Sequence, residues 1–199
     1  SAADYSPTVF IQTAESSFVD QLLFDIKDDM ASEVESLSLF DFDLDGDLDL
    51  YMVSGGNQFE ENSSLYNDRI LINDGKGNFT LKEGVLPLST SNGSVVRPKE
   101  FDQDGDIDLF VGGRNVPKAY PLAASSFLLV NNDGVFEFVK ETVFPAINDI
   151  GMVRDARWGD LNQDGKDDLV IVGDFTGIQI FLNQSNLELK NHIQILDLT

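Results

Sequence analysis

Residues 41–49 read Asp41-Phe42-Asp43-Leu44-Asp45-Gly46-Asp47-Leu48-Asp49, with an acidic side chain at every odd position and glycine at the sixth. The pattern returns 59 and then 60 residues further along the chain. The two later copies are Glu100-Phe101-Asp102-Gln103-Asp104-Gly105-Asp106-Ile107-Asp108 and Asp160-Leu161-Asn162-Gln163-Asp164-Gly165-Lys166-Asp167-Asp168. A fixed period of this length is typical of repeat architectures. We number the positions of these three acidic loops from 1 to 9.

The segments around the loops repeat in phase with them. An apolar run of strand length follows each loop, at residues 50–53, 109–111 and 169–172. A strand is also predicted before each loop, and pairs of side chains share one face of it. These pairs are Leu37 and Leu39, Val96 and Pro98, and Ala156 and Trp158. Further on, Asn73-Asp74-Gly75 and Asn132-Asp133-Gly134 separate alternating apolar runs, which is typical of β-hairpins.

Each unit of about 60 residues therefore consists of a strand, the acidic loop, a strand, a long loop, a strand, a tight turn and a strand. Four-stranded antiparallel units at fixed spacing predict an all-β fold, a β-propeller with about three and a half blades. A β-sandwich is the alternative, but it does not require an acidic loop at the same place in every unit. The predicted segments are 1–33 (outer strands of a preceding blade), 34–90, 91–148 and 149–190 (one blade for each loop) and 191–199 (a terminal strand).

Composition excludes several classes of function. The chain has 199 residues, 13 Lys plus Arg and 35 Asp plus Glu, which gives a net charge of −22. Such a charge disfavours binding to nucleic acid or anionic lipid. No apolar run approaches the roughly 20 residues needed to span a bilayer. Cysteine is absent, which excludes thiolate metal sites, and the single histidine, His192, lowers the expectation of acyl-transfer chemistry.

The acidic loops have the chemistry of a calcium site. Oxygen side chains at positions 1, 3, 5 and 9, a glycine at position 6 and a main-chain carbonyl at position 7 suit Ca²⁺. An EF-hand would need glutamate at position 12, where this chain has Met52, Val111 and Ile171 inside predicted strands. Solvated aspartate-rich turns are the simpler interpretation of one such loop, but three loops in register favour metal binding.

The loop motif followed by an apolar strand resembles the FG-GAP/VCBS repeats of integrin-type β-propellers. Residues 109–187 are similar to bacterial propellers associated with ASPIC/UnbV domains. The matching motifs are Gly112-Gly113-Arg114-Asn115-Val116-Pro117, Tyr120-Pro121, Gly151-Met152-Val153 and Asp155-Ala156-Arg157-Trp158-Gly159-Asp160. The resemblance implies up to three Ca²⁺ ions, with ligands at positions 1, 3, 5, 7 and 9. These are Asp41, Asp43, Asp45, Asp47 and Asp49; Glu100, Asp102, Asp104, Asp106 and Asp108; and Asp160, Asn162, Asp164, Lys166 (through its backbone) and Asp168.

The three sites are not expected to be equal. The first two loops each present four carboxylates at positions 1, 3, 5 and 9, whereas Asn162 leaves the third with three. Because ligand charge tunes calcium affinity, we expect the third site to be the weakest.

Other residues are candidates for ligand contacts. Arg97 and Arg157 each lie three residues before position 1 of their acidic loop. They either line a central channel for an anionic ligand or, as we favour, pair with carboxylates. The long loops at 57–67 and 112–124 are the places where repeat proteins carry function. Their candidate contacts are Phe59, Tyr66, Arg114 and Tyr120.

Two classes of function fit these features. The favoured one is a non-catalytic, calcium-binding binding or scaffold module of a larger secreted or surface protein, extracellular or periplasmic, with a protein or glycan as partner. The alternative is a carbohydrate-active hydrolase with paired carboxylates, for which Glu60, Glu61, Glu83 and Glu141 are available. The stretch Ser1-Ala2-Ala3-Asp4 lacks the basic and apolar segments of a signal peptide, so we expect none within this sequence.

Three and a half blades leave blade edges uncovered. We expect one of three arrangements: residues 193–196 joining the N-terminal strands in a four-bladed ring, two chains forming a seven-bladed ring, or, as favoured, a fragment of a longer propeller that self-associates through open edges.

Overall fold

The structure is a computed structural model that describes residues 8–13, 16–22, 32–89, 91–140, 144, 150–184 and 189–195. The described residues form fourteen strands in four antiparallel sheets, with a short 3₁₀ helix at Ser64–Tyr66 and no α-helix. In every sheet, each strand pairs with the strand that follows it in sequence. The prediction of an all-β fold made of partial propeller blades is therefore confirmed.

The first sheet is a hairpin of two strands, β1 (Thr8–Gln12) and β2 (Phe18–Leu22). The other three sheets are four-stranded, and we call them blades 1, 2 and 3. Blade 1 contains β3 (Glu33–Phe40), β4 (Asp49–Gly55), β5 (Arg69–Asn73) and β6 (Phe79–Leu81). Blade 2 contains β7 (Gly93–Lys99), β8 (Asp108–Gly113), β9 (Phe127–Asn132) and β10 (Val135–Phe138). Blade 3 contains β11 (Met152–Gly159), β12 (Asp168–Asp174), β13 (Gly177–Asn183) and β14 (Leu189–Ile195).

The C-terminal strand corrects one prediction. Residues 191–199 were expected to form a separate terminal strand after a blade that ends at residue 190. Instead β14 runs from Leu189 to Ile195 and pairs with β13 along its length, with Ile193 opposite Ile180 and Ile195 opposite Ile178. Among the described residues, β14 is therefore the outer edge of blade 3, and the N-terminal hairpin forms a separate sheet.

Neighbouring blades pack face to face through apolar side chains. Val53 and Val111 belong to one cluster that joins blades 1 and 2, and a second cluster joins blades 2 and 3. The equivalent residues Val96 and Ala156, on the first strands of blades 2 and 3, are both buried. Leu37 and Leu39, on the first strand of blade 1, are 59% and 51% exposed. The position of Leu37 is therefore buried in blades 2 and 3, which follow a complete blade, and exposed in blade 1.

Polar contacts of the arginines reinforce the contact between blades 2 and 3. Arg97 donates from Nε to the carbonyl of Ala156 at 2.7 Å and forms an ion pair with Asp155. The indole Nε1 of Trp158 donates in return to the carbonyl of Arg97 at 3.2 Å. Arg157 also reaches Asp155, at 3.2 Å. Both arginines thus pair with one carboxylate, as the favoured interpretation of the sequence expected.

Blade 1 contains a half-buried carboxylate beside its second strand. Asp68 accepts from the hydroxyl of Tyr51 at 2.8 Å and from the N–H of Ser54 at 2.8 Å. In blade 2 the corresponding backbone group, the N–H of Gly113, donates to the hydroxyl of Ser126 at 2.9 Å. Burial raises the pKa of Asp68 from 3.8 to about 7, although its two donors act in the opposite direction. Blade 1 therefore has a titratable group where blade 2 has a neutral one.

We expect Asp68→Asn to change how stability depends on pH. A carboxyl whose pKa is raised by folding binds more protons in the folded than in the unfolded chain, so it makes the protein less stable as pH rises from about 4 to about 7. Asp68→Asn removes this titration. The melting temperature of the variant minus that of the wild type should therefore increase by several degrees as pH rises over this range, since 1 kcal/mol corresponds to about 2–4 °C. Thermal denaturation in excess calcium, followed by circular dichroism, would measure both melting temperatures across this pH range. Glu137→Gln, at an exposed carboxylate, is the control, and parallel curves for Asp68→Asn and wild type would contradict the prediction.

Candidate metal centre

Each acidic loop joins the first and second strands of its blade, so the three loops lie at the same end of their blades. Their backbones share one conformation. Position 4 is left-handed although it is never glycine, with φ of 60° at Leu44, 70° at Gln103 and 61° at Gln163. Position 6 is glycine with φ between 87° and 107°. A Cβ atom at any of these three glycines would meet nothing within 4 Å, so backbone conformation and not space requires glycine there.

The acid at position 1 closes the loop. Asp41 accepts from the N–H groups of Asp45 and Gly46, each at 3.1 Å. Asp160 does the same for Asp164 at 3.2 Å and Gly165 at 2.9 Å. Glu100 departs from this pattern because its longer side chain accepts from the N–H of Gln103, one residue earlier. The second loop is thus held differently at its first position.

The acid at position 9 is the most buried residue of each loop, and it binds two backbone segments at once. Asp49, Asp108 and Asp168 are all 0% exposed. One oxygen of each accepts from the N–H of position 2: Phe42 at 2.8 Å, Phe101 at 3.1 Å and Leu161 at 3.0 Å. The other oxygen accepts from an asparagine N–H on the third strand of the blade: Asn73 at 2.8 Å, Asn131 at 2.9 Å and Asn183 at 2.9 Å. This carboxylate therefore fastens the acidic loop to the third strand.

Sequence reasoning missed this second role of position 9 and the three asparagines that serve it. A signal was present, because an asparagine ends or nearly ends the third strand of every blade. The side chains of two of them also shape the following turn: Asn73 Oδ1 accepts from Gly77 at 3.0 Å and Asn131 Oδ1 from Gly134 at 2.9 Å.

Positions 1, 3 and 9 come together in the first two loops. Asp41, Asp43 and Asp49 each offer a carboxylate oxygen, and these oxygens lie within 4.8 Å of one another; Glu100, Asp102 and Asp108 do the same. The carboxylate at position 5 is hydrogen-bonded within its own loop. Asp45 Oδ1 accepts from the N–H of Asp47 at 3.1 Å, and Asp104 Oδ1 accepts from the N–H of Asp106 at 3.2 Å. The clustered donors are all oxygens, a set that fits a hard divalent cation.

The third loop differs from the other two. Its position 3 is Asn162, whose amide donates to Asp164 at 3.0 Å, and no cluster of three carboxylates forms there among the described residues. Asp160, Asp164 and Asp168 keep the backbone contacts of their counterparts. The loop therefore retains the fold of the site with fewer charged ligands.

Burial and mutual repulsion shift the pKa values of acids in the first two loops. Burial, and then the charges of Asp49 and Asp45, raises the pKa of Asp43. Burial raises the pKa of Asp108 from 3.8 to about 7, against the N–H groups that it accepts from. Burial and the neighbouring Asp104 raise the pKa of Asp106 to about 6. A bound cation would relieve this repulsion and compete with the protons.

Side chains at position 7 reach the turn that follows the third strand. Asp106 Oδ2 accepts from the N–H of Asp133 at 3.2 Å, and in the third loop Lys166 Nζ donates to the carbonyl of Gln184 at 2.9 Å. At the same position, Oδ1 of Asp47 and Oδ1 of Asp106 are buried without a hydrogen-bond partner among the described residues. The expectation that position 7 binds metal through its backbone stays a prediction.

Comparison with protein families agrees with this geometry. The model of the FG-GAP-like repeat matches residues 41–111 and again residues 100–171. Each match runs from position 1 of one acidic loop into the second strand of the next blade. Together they cover more than half of the chain, which therefore belongs to the FG-GAP-like repeat family. Comparison with curated proteins finds no match.

We expect Asp168→Ala to destabilise the protein even when calcium is removed. The change leaves the N–H groups of Leu161 and Asn183 without their buried acceptor, and each such loss costs about 1–3 kcal/mol. Asp164→Ala is the matched control, because Asp164 belongs to the same loop but is exposed. Urea denaturation in EDTA would compare them, and equal midpoints for the two variants would contradict the structural role of position 9.

The charge of the three loops predicts their order of affinity. We expect Asp164→Ala to remove the weakest calcium-binding step, and Asp45→Ala or Asp104→Ala a tighter one, because ligand charge tunes affinity. Calorimetric titration of the three variants with calcium tests the order. Loss of the tightest step in Asp164→Ala would show the ranking to be wrong.

Proposed function

We propose that this chain is a non-catalytic, calcium-binding module of a larger secreted or surface protein, where it serves as a binding or scaffold unit. The observation that carries the proposal is the acidic loop repeated in three successive blades, with clustered carboxylates in two of them. Membership of the FG-GAP-like repeat family supports the role as a binding or scaffold unit.

Calcium is the proposed ion because of the donor set. The clustered groups are carboxylates, with further carboxylate, amide and main-chain oxygens in the same loops. Calcium accepts six to eight oxygen ligands in flexible geometry, whereas magnesium needs a near-ideal octahedron and keeps several waters. When bound, the ion would supply positive charge among acids that repel one another. The residues that would hold it are those at positions 1, 3 and 9, joined by positions 5 and 7.

The proposed location follows from the affinity expected of such sites. Extracellular modules typically bind calcium with dissociation constants of about 10⁻⁴–10⁻³ M. Sites at exposed loops need calcium in that range, which favours an extracellular, cell-surface or periplasmic setting over the cytosol. Among the described residues, no helix is long and apolar enough to cross a membrane.

We favour a binding role over hydrolysis because of the surroundings of Glu60 and Glu61, two of the four candidate acids. A paired-carboxylate hydrolase needs two acids outside the metal loops that face each other. Glu60 instead forms an ion pair with Lys118, and Glu61 lines a groove beside Leu88, Pro117 and Phe127 without a second acid among its described neighbours. Glu141 lies outside the described residues. We therefore propose a protein or glycan as the partner, and a role like that of the propellers associated with ASPIC/UnbV domains.

Calcium should stabilise the folded protein. A ligand that binds only the native state stabilises it by about 2.7 kcal/mol per site at a hundredfold excess over its dissociation constant. At about 2–4 °C per kcal/mol, one saturated site should raise the melting temperature by roughly 5–10 °C. Differential scanning calorimetry with millimolar calcium and with EDTA checks this, and magnesium at the same concentration is the control. The same melting temperature in calcium and in EDTA would overturn the proposal.

A further inference from the structure

Two exposed aromatic rings from different blades meet at the end of the blades opposite the acidic loops. Phe175 lies between β12 and β13 and is 79% exposed, and Tyr120 lies in the long loop of blade 2 and is 63% exposed. Their ring centroids are 6.3 Å apart, and the ring planes are tilted by 59°. The third acidic loop ends where β12 begins, at Asp168. At about 3.3 Å per residue, the far end of that strand is about 20 Å away, so the aromatic pair is separate from the acidic loops.

Phe175 has a backbone conformation that a bulky residue rarely adopts. With Thr176 it forms the short connection between β12 and β13, and its φ is 65°. Glycine or asparagine is favoured at a positive φ in a tight hairpin turn, because other side chains are strained there. The ring gains little burial in return, since it is 79% exposed. The geometry of the turn and the packing of the described residues therefore do not account for phenylalanine. Strained residues of this kind cluster at binding sites.

A guanidinium group is held beside the aromatic pair. Arg154 donates from Nε to the two oxygens of Asp174, at 2.9 and 3.0 Å, and Asp174 immediately precedes Phe175. Among the described residues, the side-chain hydrogen bonds of Arg154 run through Nε alone. The side chain is 58% exposed. Asp174 therefore orients the guanidinium and leaves its two terminal nitrogens available.

The charge beside the aromatic pair is positive, in a chain whose net charge is −22. Arg114 of blade 2 also reaches Asp174, at 3.2 Å, so two arginines share this carboxylate. The nearby acids Glu33 and Glu35 line a cleft with Arg114 on the blade 1 side, whereas Arg154 lies in blade 3. The available nitrogens of Arg154 therefore favour a carboxylate on the partner.

This arrangement fits a protein partner. Small ligands bind in concave pockets, but the cavities of about 400, 380 and 280 Å³ include neither ring of the aromatic pair. Aromatic residues and arginine are enriched at the centres of protein–protein interfaces, where they supply most of the binding energy. The two tilted rings form an angle into which one apolar side chain can pack.

We propose that Tyr120, Phe175 and Arg154 anchor a protein partner, with an apolar side chain of the partner against the two rings and a neighbouring carboxylate on Arg154. The inference rests on the proposed function as a binding module, and it selects a protein over a glycan and names the site. The anchor does not require calcium at the acidic loops.

Phe175→Gly tests whether the ring serves binding and not folding. Glycine relieves the strain of the left-handed backbone, so the melting temperature of the variant in calcium should equal or exceed that of the wild type. Thermal denaturation followed by circular dichroism measures it. A melting temperature several degrees lower would show that the ring stabilises the fold, and would overturn the proposal.

Synthetic peptides of six residues test the chemistry of the partner on the full chain. Each carries Leu, Phe or Trp beside Asp, between Gly and Ser residues and with blocked ends. Control peptides have Asn in place of Asp, or Gly in place of the apolar residue. In NMR titrations, at least one Asp peptide should bind the wild type, and its two control forms should bind about fivefold more weakly or less. Binding of none of the Asp peptides, or equal binding of the Asn forms, would overturn the proposal.

Variants locate the anchor. Phe175→Gly and Tyr120→Ala should each weaken binding of the Asp peptide by about tenfold, and Arg154→Gln should abolish the preference for Asp over Asn. Phe10→Ala, at an aromatic residue of β1 that is 66% exposed, and Arg157→Gln, at an arginine of β11 that is 67% exposed, are the matched controls and should bind as the wild type does. If Tyr120→Ala does not fold, Phe175→Gly decides, and unchanged binding by it would refute the site.

Two further measurements separate this proposal from its alternatives. Binding to a glycan array that is lost in Phe175→Gly would overturn the choice of a protein partner. The peptide titrations are repeated in EDTA, below the melting temperature. Peptide binding by a chain whose stability does not respond to calcium would refute the calcium sites and leave the anchor in place, whereas a calcium response without peptide binding would refute the anchor alone.

Discussion

The rest of the structure depends on one buried carboxylate in each blade, the aspartate at position 9 of the acidic loop. Its two oxygens accept from the backbone at the start of the loop and from the third strand of the sheet, for example from Phe42 and Asn73 in blade 1. A fully buried charge is costly unless it is hydrogen-bonded and paired. The backbone N–H groups supply the hydrogen bonds, and a cation among the clustered acids would supply the opposite charge. Binding of a cation there would therefore be linked to folding of the blade through the same residue.

The residue at position 2 extends this constraint from one blade to the next. Its N–H binds position 9, and its side chain stacks on the following blade: Phe42 on Phe136 with ring centroids 5.6 Å apart, and Phe101 on Trp158 at 5.7 Å. In the third loop position 2 is Leu161, which is 52% exposed. The loop geometry and the stacking of blades therefore depend on each other. A change in one acidic loop should also alter the packing against the next blade.

Much of this fold is predictable from local patterns. The strands after each loop, the Asp-Gly hairpins and the rejection of an EF-hand all follow from residues such as Met52, Val111 and Ile171, which lie in β4, β8 and β12 as expected. What could not be predicted depends on contacts between distant segments. The left-handed backbone at Leu44 and Gln103 has no signature in residue type, and the pairing of Asp49 with Asn73 joins residues from different strands. The merging of the predicted terminal strand into β14 likewise reflects its pairing with β13.

The two ends of the blades follow different rules, and the difference separates fold from function. At the end with the acidic loops, the three blades repeat the same contacts even where residue types change, as when Lys166 takes the place of an aspartate and still reaches the following turn. At the opposite end the blades diverge: the N–H at the end of the second strand is held by Asp68 in blade 1 and by Ser126 in blade 2. There Arg114 follows the glycines of blade 2, whereas Asn57 follows those of blade 1. Contacts that recur in every blade maintain the repeat, so they cannot distinguish one ligand from another. Selectivity for a ligand therefore has to come from residues that occur once, such as Arg114 in blade 2 and Asn57 in blade 1.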